Sequence, residues 1–396
     1  MKKPETSIAG TGLVSCFGLG VDAAFKAMCA GECGIRDIDR FDPEPYARKT
    51  GGQVPAEAEE ALREEFPEDD FAVAMIKAAG REAMEQAGRT VGAPDPELGL
   101  VLATNFGPME TLEWCWRERL DMGTMDDDTF AMVDGALDAA ADWLGCNGPR
   151  LQLSLSCASG AATVAVARDL IRSGRARRVL AIGYDALTEY CWCGLTNLRT
   201  ITTDMVRPFD VNRSGTVFSE GAAALLVAHA DDGPGLASLA GAATNNNAFH
   251  MTAPAKEADG SRRVMQSALD DAGMSADDID HVCAHATSTS ANDVTEAACL
   301  RNLFGDRLPL MTVAAHKSQL GHMMGGAGAA EAIITIQAMR EGVIPPTINH
   351  ITPDPECLLD CVPGTARRRQ FRTAITNSAG IGGNNSSLVL TLPNES

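Results

Sequence analysis

Three things are scarce in this chain: positive charge, long apolar runs and metal-type cysteine spacing. Lys and Arg number 33 against 53 Asp and Glu, so the formal net charge is −20 and the pI is near 4.7. That balance argues against nucleic acid and anionic membrane surfaces as partners. No apolar run reaches the ~18 residues of a membrane span. The start of the chain does not read as a signal peptide, because Lys2 and Lys3 are followed by polar Pro4–Thr6 and by glycines at 10, 12, 18 and 20. A reducing, cytoplasmic setting is therefore expected, with most of the 12 cysteines acting as small buried hydrophobes. Cys29/Cys33, Cys357/Cys361 and Cys191/Cys193 are closely spaced, but none has the further ligands that zinc requires.

What is present is the composition of a globular protein, 45% hydrophobic and 22% charged. A length of 396 residues suits two packed halves or one large α/β unit. Strand-like and helix-like patterns alternate. "TSIAGTGLVS" (6–15), "LGLVLATN" (98–105), "RLQLSLS" (150–156) and "RRVLAIGYDAL" (177–187) read as strands. "VDAAFKAMCAG" (21–31), 70–88 and 130–145 read as helices. The acidic, Gly/Pro-containing "DDGPG" (231–235) is the natural boundary, giving halves 1–232 and 233–396. Each half runs through a strand, a small-residue helix, a further strand and a closing strand. If that likeness is a duplication, the helix starts at Cys157 and near His322 point into one shared cleft.

"SLSCASGAAT" (154–163) carries the clearest chemistry. Cys157 sits between a strand and an almost wholly apolar helical pattern. A helix N-terminus offers unpaired N–H groups and partial positive charge. A thiol placed there is expected to ionise more readily, and the thiolate is the nucleophile. The same N–H groups can hold a developing oxyanion. "HATSTSAND" (285–293) follows a strand-like run, with Thr287 and Thr289 placed to hydrogen-bond an extended ligand. "HKSQLGHMMGGAGAAEA" (316–332) holds Lys317, His322 and Glu331, and "NSAGIGGNNSS" (377–387) is a glycine-dense turn.

Together these segments resemble the β-ketoacyl synthase family of the thiolase superfamily, in its elongating, two-histidine form. That family's A-C-S-S-G-A, H-G-T-G-T-x-x-N-D, K-S-x-x-G-H-x-x-G-A-A-G-x-x-E and N-S-F-G-F-G-G-T-N patterns correspond to Ser156–Ala161, His285–Asp293, Lys317–Glu331 and Asn377–Asn385. "RPFDVNRSGTVFSEGAAALLV" (207–227), residues 10–35 and "HMTAP" (250–254) extend the likeness along the whole chain. The resemblance implies a thiolase-like α/β fold of two pseudo-repeated halves in αβαβα layers. It implies that Cys157 takes an acyl group from a carrier thioester. His285 and His322 then hold a malonyl-type thioester through decarboxylation, and the enolate attacks the acyl group. Lys317 and Glu331 would orient and tune His322. The N–H groups of Cys157 and Ile381 would form the oxyanion hole, and Thr287 and Thr289 would hold the phosphopantetheine arm. No metal or organic cofactor is implied. The partners implied are an acyl carrier protein and a second copy of the chain, or a ketosynthase-like partner subunit.

Departures from the pattern cluster at the site. Ile381 and Ala379 replace phenylalanines, Ala286 and Ser288 replace glycines, Asn384 replaces threonine, and Ser214 and Ser219 replace aspartate and glycine. They point to a specialised primer or extender in fatty-acid or polyketide synthesis. They also keep open acyl transfer or thioester hydrolysis without condensation. A chain-length-factor-like partner subunit is a further alternative, against which Cys157 argues. A basic patch must offset the overall charge for an acidic carrier, with Arg207, Arg213, Arg262, Arg263, Arg367–Arg369 and Arg372 as candidates. Pocket depth is assigned to Met109, Trp114, Trp116 and Met132. The papain-like signature is absent, and "GTGLVSCFG" lacks the third glycine of a dinucleotide loop, having Ser15 there.

Overall fold

The computed structural model describes residues 5–122, 135–198, 200–250 and 259–393. Most of "HMTAP", Met132 and the first part of the helix expected over 130–145 lie outside the described residues; that helix is described as Ala136–Leu144.

Ten strands form the path of the eleven-stranded main sheet, Gly18–Leu19 pairing beside the first of them: β1 Thr6–Ser15, β2 Leu98–Ala103, β3 Arg150–Leu153, β4 Arg178–Asp185, β5 Gly221–His229, β6 Ala237–Asn246, β7 His281–Cys283, β8 Thr312–Ala314, β9 Thr373–Ala379 and β10 Asn384–Thr391. In space the first five run β3-β2-β4-β5-β1 and the second five run β8-β7-β9-β10-β6. The two orders are the same, position for position. So are the directions: β2 is parallel to β3 and β4, as β7 is to β8 and β9, and the remaining pairs are antiparallel. The likeness of the halves read from sequence is thus a repeat in topology. A short pairing, Ser7 with Ser238 and Ile8 with Ala237, joins the halves edge to edge.

The strands are buried on both faces, so they read as apolar runs rather than alternations. Along β5, Ala223, Leu225 and Val227 face one core while Ala222, Ala224 and Leu226 face another. The second core is closed by helix α1 (Phe71–Gln86), whose N-cap Asp70 accepts the Ala72 N–H at 2.8 Å. Gly10 and Gly12 let α1 lie directly on β1, since a Cβ at either would fall within about 2 Å of the Ala83 or Ala79 carbonyl. On the far side of the second half, Val282, Ile375 and Val389 pack with Met265, Ala268 and Leu269 of helix α3 (Asp259–Ala272).

Between the two halves of the sheet lie helix α2 (Ser159–Arg172) and helix α5 (Ala327–Glu341). They touch backbone to backbone near their starts. A Cβ on Gly160 would meet the Ala329 nitrogen at 2.7 Å, and one on Gly328 would meet the Ala161 nitrogen at 2.7 Å. Helix, sheet, paired helices, sheet, helix is the layered thiolase-like arrangement. The reciprocal glycine contact brings the residues just before each helix into one cleft.

Candidate active site

Cys157 stands on a tight elbow. β3 stops at Leu153, three residues short of the expected strand, and Ser156 turns with φ of 53°. The Leu155 N–H donates to Ser159 Oγ at 2.7 Å, fixing the turn against α2. The second half supplies two histidines. His285 follows β7, on a loop leading into helix α4 (Ser290–Phe304), and His322 lies between Lys317–Leu320 and α5. A sulfur of Cys157 and a nitrogen from each imidazole all lie within 4.8 Å of one another. The imidazole rings meet edge to face at 5.5 Å and 86°.

The hydrogen bonds set the tautomers. The Met324 N–H donates to His322 Nδ1 at 3.2 Å, and Lys317 Nζ stands 3.4 Å from His285 Nδ1. With donors at both Nδ1 atoms, each neutral ring carries its proton on Nε2. His322 Nε2 has no protein partner. Burial and the Lys317 charge hold both histidines well below the ordinary range, so both are neutral donors at neutral pH. The spacing of Cys157, His285 and His322 would suit a metal, but this second shell does not. A metal-bound imidazole gives its other N–H to an acceptor, and here both outer nitrogens face donors.

Lys317 acts on both histidines: its charge helps to hold His322 below the ordinary range, and its ammonium also reaches His285. That ammonium lies 3.4 Å from His285 Nδ1 and pairs with Glu331 at 2.5 Å in a buried setting. Burial raises the Glu331 carboxyl to about 7, against the pull of Lys317. A correction concerns the thiol. Burial pushes Cys157 up to about 11, outweighing Lys317 and the N–H groups of Ile381 and Cys157 itself. Those two N–H groups nonetheless converge on the sulfur. Gly380 permits this, because a Cβ there would lie 3.0 Å from the Cys157 nitrogen.

The His285 loop adopts the conformation its usual glycines would favour. Ala286 has φ of 42° and Ser288 has φ of 65°. A carboxylate clamp holds it: the His285 and Ala286 N–H groups donate to the two oxygens of Glu296, each at 2.8 Å. Asn377 Nδ2 also donates to Glu296, at 2.8 Å, and the Ser288 N–H donates to Asp293 at 3.0 Å. Glu296 escaped the reading of the sequence. Its signal was an acid on the same α4 face as buried Asp293, Ala297 and Leu300.

A cavity of about 330 Å³ opens over Cys157, His285 and His322, with Thr287, Thr289, Ser214 and Ile381 in its wall. The two threonine hydroxyls are 3.0 Å apart. Met109, Trp114 and Trp116 do not line it, contrary to expectation: Met109 is buried and the two tryptophans are exposed. Asn384 bonds to Asn246 instead of facing the cavity, and Ser219 is buried. The Arg213 guanidinium donates to the carbonyl of lining residue Ser290, and Arg262 and Arg263 follow lining residue Ser261, whereas Arg207 reaches only Ser288, outside the lining, and through its backbone N–H. Asp204, Asp354 and Asp259 pair with them. Arg367, Arg369 and Arg372 bond instead to Asp360, Leu310, Leu392 and Pro393, none of which lines the cavity.

The N-terminal domain of beta-ketoacyl synthase matches residues 4–233, and the C-terminal domain matches residues 236–350. The chain belongs to the beta-ketoacyl synthase family. It is 32% identical to 3-oxoacyl-[acyl-carrier-protein] synthase 2 of Staphylococcus aureus, over 96% of this chain and 99% of that one. It is 31% identical to the Coxiella burnetii protein of the same name, over 98% and 99%. Among solved structures, the ishigamide ketosynthase/chain length factor superposes with a TM-score of 0.90 at 32% identity, covering 98% of this chain and 99% of that one. A beta-ketoacyl synthase from Burkholderia phymatum gives 0.87 at 28%, covering 98% and 99%. As a member of this family the chain is an acyltransferase that joins acyl units by condensation in fatty-acid or polyketide synthesis. Among the described residues, no helix is long and apolar enough to cross a membrane.

Proposed function

We propose that the chain condenses an acyl group held on Cys157 with a malonyl-type thioester delivered by an acyl carrier protein, releasing CO2 and a 3-oxoacyl thioester. The observation that carries this is the meeting of one thiol with two neutral imidazoles in the lining of a single cavity. Cys157 attacks the primer thioester, the carrier thiol leaves, and the N–H groups of Cys157 and Ile381 receive the oxyanion. The malonyl thioester then enters with its carbonyl oxygen on the two histidines. Its carboxylate carbon–carbon bond breaks, CO2 departs, and the electron pair forms an enolate stabilised by those donors. The enolate carbon attacks the acyl carbonyl and the Cys157 thiolate leaves, ready to be reloaded. Lys317, anchored by Glu331, fixes the tautomer of His285. Thr287 and Thr289 line the path of the pantetheine arm. This chemistry asks for no metal or organic cofactor.

Arg262 and Arg263, the exposed arginines beside lining residue Ser261, offer the local positive surface for an acidic carrier, whereas the Arg213 side chain is buried against Asp354. The relatives named as 3-oxoacyl-[acyl-carrier-protein] synthases support that partner. A two-chain assembly is supported by the sheet edges. β8 is buried, with Val313 bonded to the Asp360 carbonyl, whereas β3 ends the sheet with Leu151 and Gln152 exposed. An open edge next to the nucleophile is a template for pairing with a second chain, either a copy of this one or a ketosynthase-like partner. A reducing, cytoplasmic setting is supported by 12 free cysteines.

Intact-protein mass spectrometry tests the first half-reaction. Incubation with a panel of acyl carriers is expected to add one acyl mass to the wild type and none to Cys157→Ala. Loading that persists in Cys157→Ala overturns the assignment of the nucleophile. Loading followed only by free acid after malonyl carrier is added favours the hydrolase reading.

A further inference from the structure

The turn that carries Ile381 leaves the site short of an aromatic wall, and the structure provides one elsewhere. Residues 217–219 pair with His322 as a short strand: the His322 N–H donates to the Val217 carbonyl at 2.7 Å, and the Ser219 N–H donates to the His322 carbonyl at 2.9 Å. That pairing sets Phe218 beside His322, with ring centroids 5.6 Å apart and planes within 26°. Phe218 is only 5% exposed, yet it lines the cavity. Among the described residues lining the cavity, it is the one with a hydrocarbon aromatic ring. Behind it stand Ile38, Leu187, Trp192, Leu195 and Met324, so the ring has no room to retreat. On the other side, Ile381 is 39% exposed at the tip of its turn and Ala379 adds no bulk.

We propose that Phe218 is a positioning residue for decarboxylation: it fixes the plane of His322 and supplies the apolar wall against which the malonyl carboxylate leaves as CO2. The inference rests on the condensation reading above. Its physical basis is that a carboxylate stripped of water by an apolar surface is destabilised relative to neutral CO2. The same ring keeps the His322 donor aimed at the thioester oxygen as charge arrives there. The aromatic wall of the cavity is thereby supplied by a ring held through backbone pairing rather than by the glycine turn that carries Ile381.

The test is CO2 release from malonyl carrier by wild type, Phe218→Leu, Phe218→Tyr and the double variant Phe218→Leu/Ile381→Phe, with Cys157 acylation measured alongside. Phe218→Leu is expected to lower the rate constant for CO2 release by about tenfold or more while KM stays within about threefold. Its Cys157 acylation should match wild type, which separates lost positioning from lost folding. Phe218→Tyr is expected to hold the rate within about threefold of wild type, and Ile381→Phe is expected to recover part of the loss in the Leu background. Wild-type release that Phe218→Leu matches within about twofold overturns the inference, as does a parallel loss of acylation and release. Wild type that loads Cys157 but releases no CO2 overturns the condensation reading, and this inference with it.

Discussion

Ala286 shows what one side chain can add to a site. A residue with a Cβ at φ of 42° carries strain that glycine would not. The two Glu296 hydrogen bonds to this loop hold it there. Ala286→Gly is expected to stabilise the protein by about 1 kcal/mol or less, the relieved strain being partly offset by the greater chain entropy of glycine. Chemical denaturation checks this, and a loss of stability would show that the loop conformation is not strained. The sequence showed the residue types here but not their consequences. An alanine in place of a glycine does not itself reveal a positive φ, which here is held by the Glu296 clamp. The contact of Lys317 with His285 is not legible in sequence, because proximity to His322 along the chain says nothing about which further ring the ammonium reaches across the fold. The thiol was expected to be acidified by its helix. Burial, which a sequence does not display, outweighs the groups that draw it down.

At the scale of elements, the site depends on how the halves are tied together before α2 and α5 begin. Asp185, the last residue of β4, accepts from the Thr104 hydroxyl, from the N–H groups of Asn105 and Phe106, and from the Gly325 N–H at 2.7 Å just before α5. Burial nevertheless raises its carboxyl to about 6. A raised acid favours the folded state most when both forms are protonated, so this contribution is complete below about 4 and is lost as pH rises through about 6. Asp185→Asn cannot titrate. Its stability relative to wild type should therefore improve between pH 4 and pH 7, by at most about 3 kcal/mol, even if it is less stable throughout. Denaturant titrations across that range decide it, and a pH-independent difference would contradict the account. The main strands and helices were legible because runs such as "RVLAIGYD" are apolar throughout and because Asp70 and Gly31 mark helix ends. The short end of β3 was not legible, since Ser154–Ser156 alternate like a strand yet form the elbow that presents Cys157.

At the scale of the whole molecule, one sheet edge is covered and the other is open. β8 is buried, while β3 exposes Leu151 a few residues before the Cys157 elbow. Leu151→Arg is expected to shift the protein from dimer to monomer in size-exclusion chromatography with light scattering, and to lower activity with it. A wild type that runs as a monomer at micromolar concentration would remove this edge as an interface. The net charge of −20 acts at the same scale. It weakens long-range attraction to an acidic carrier, so the proposed recognition must rest on local positive groups such as Arg262 and Arg263. The repeat of two halves was visible in sequence only as a shared order of motifs. The matching strand orders, and the glycine crossing of α2 and α5, come from packing across some 170 residues of chain, which no local pattern encodes.

The central claim is that Cys157 and the two histidines join acyl units. The most direct measurement is the mass of what the carrier holds after acyl-loaded enzyme meets malonyl carrier. The account predicts a 3-oxoacyl thioester two carbons longer than the primer, absent with Cys157→Ala and reduced by about 100-fold or more with His322→Ala. Free acid, or an acyl carrier of unchanged length, would contradict it.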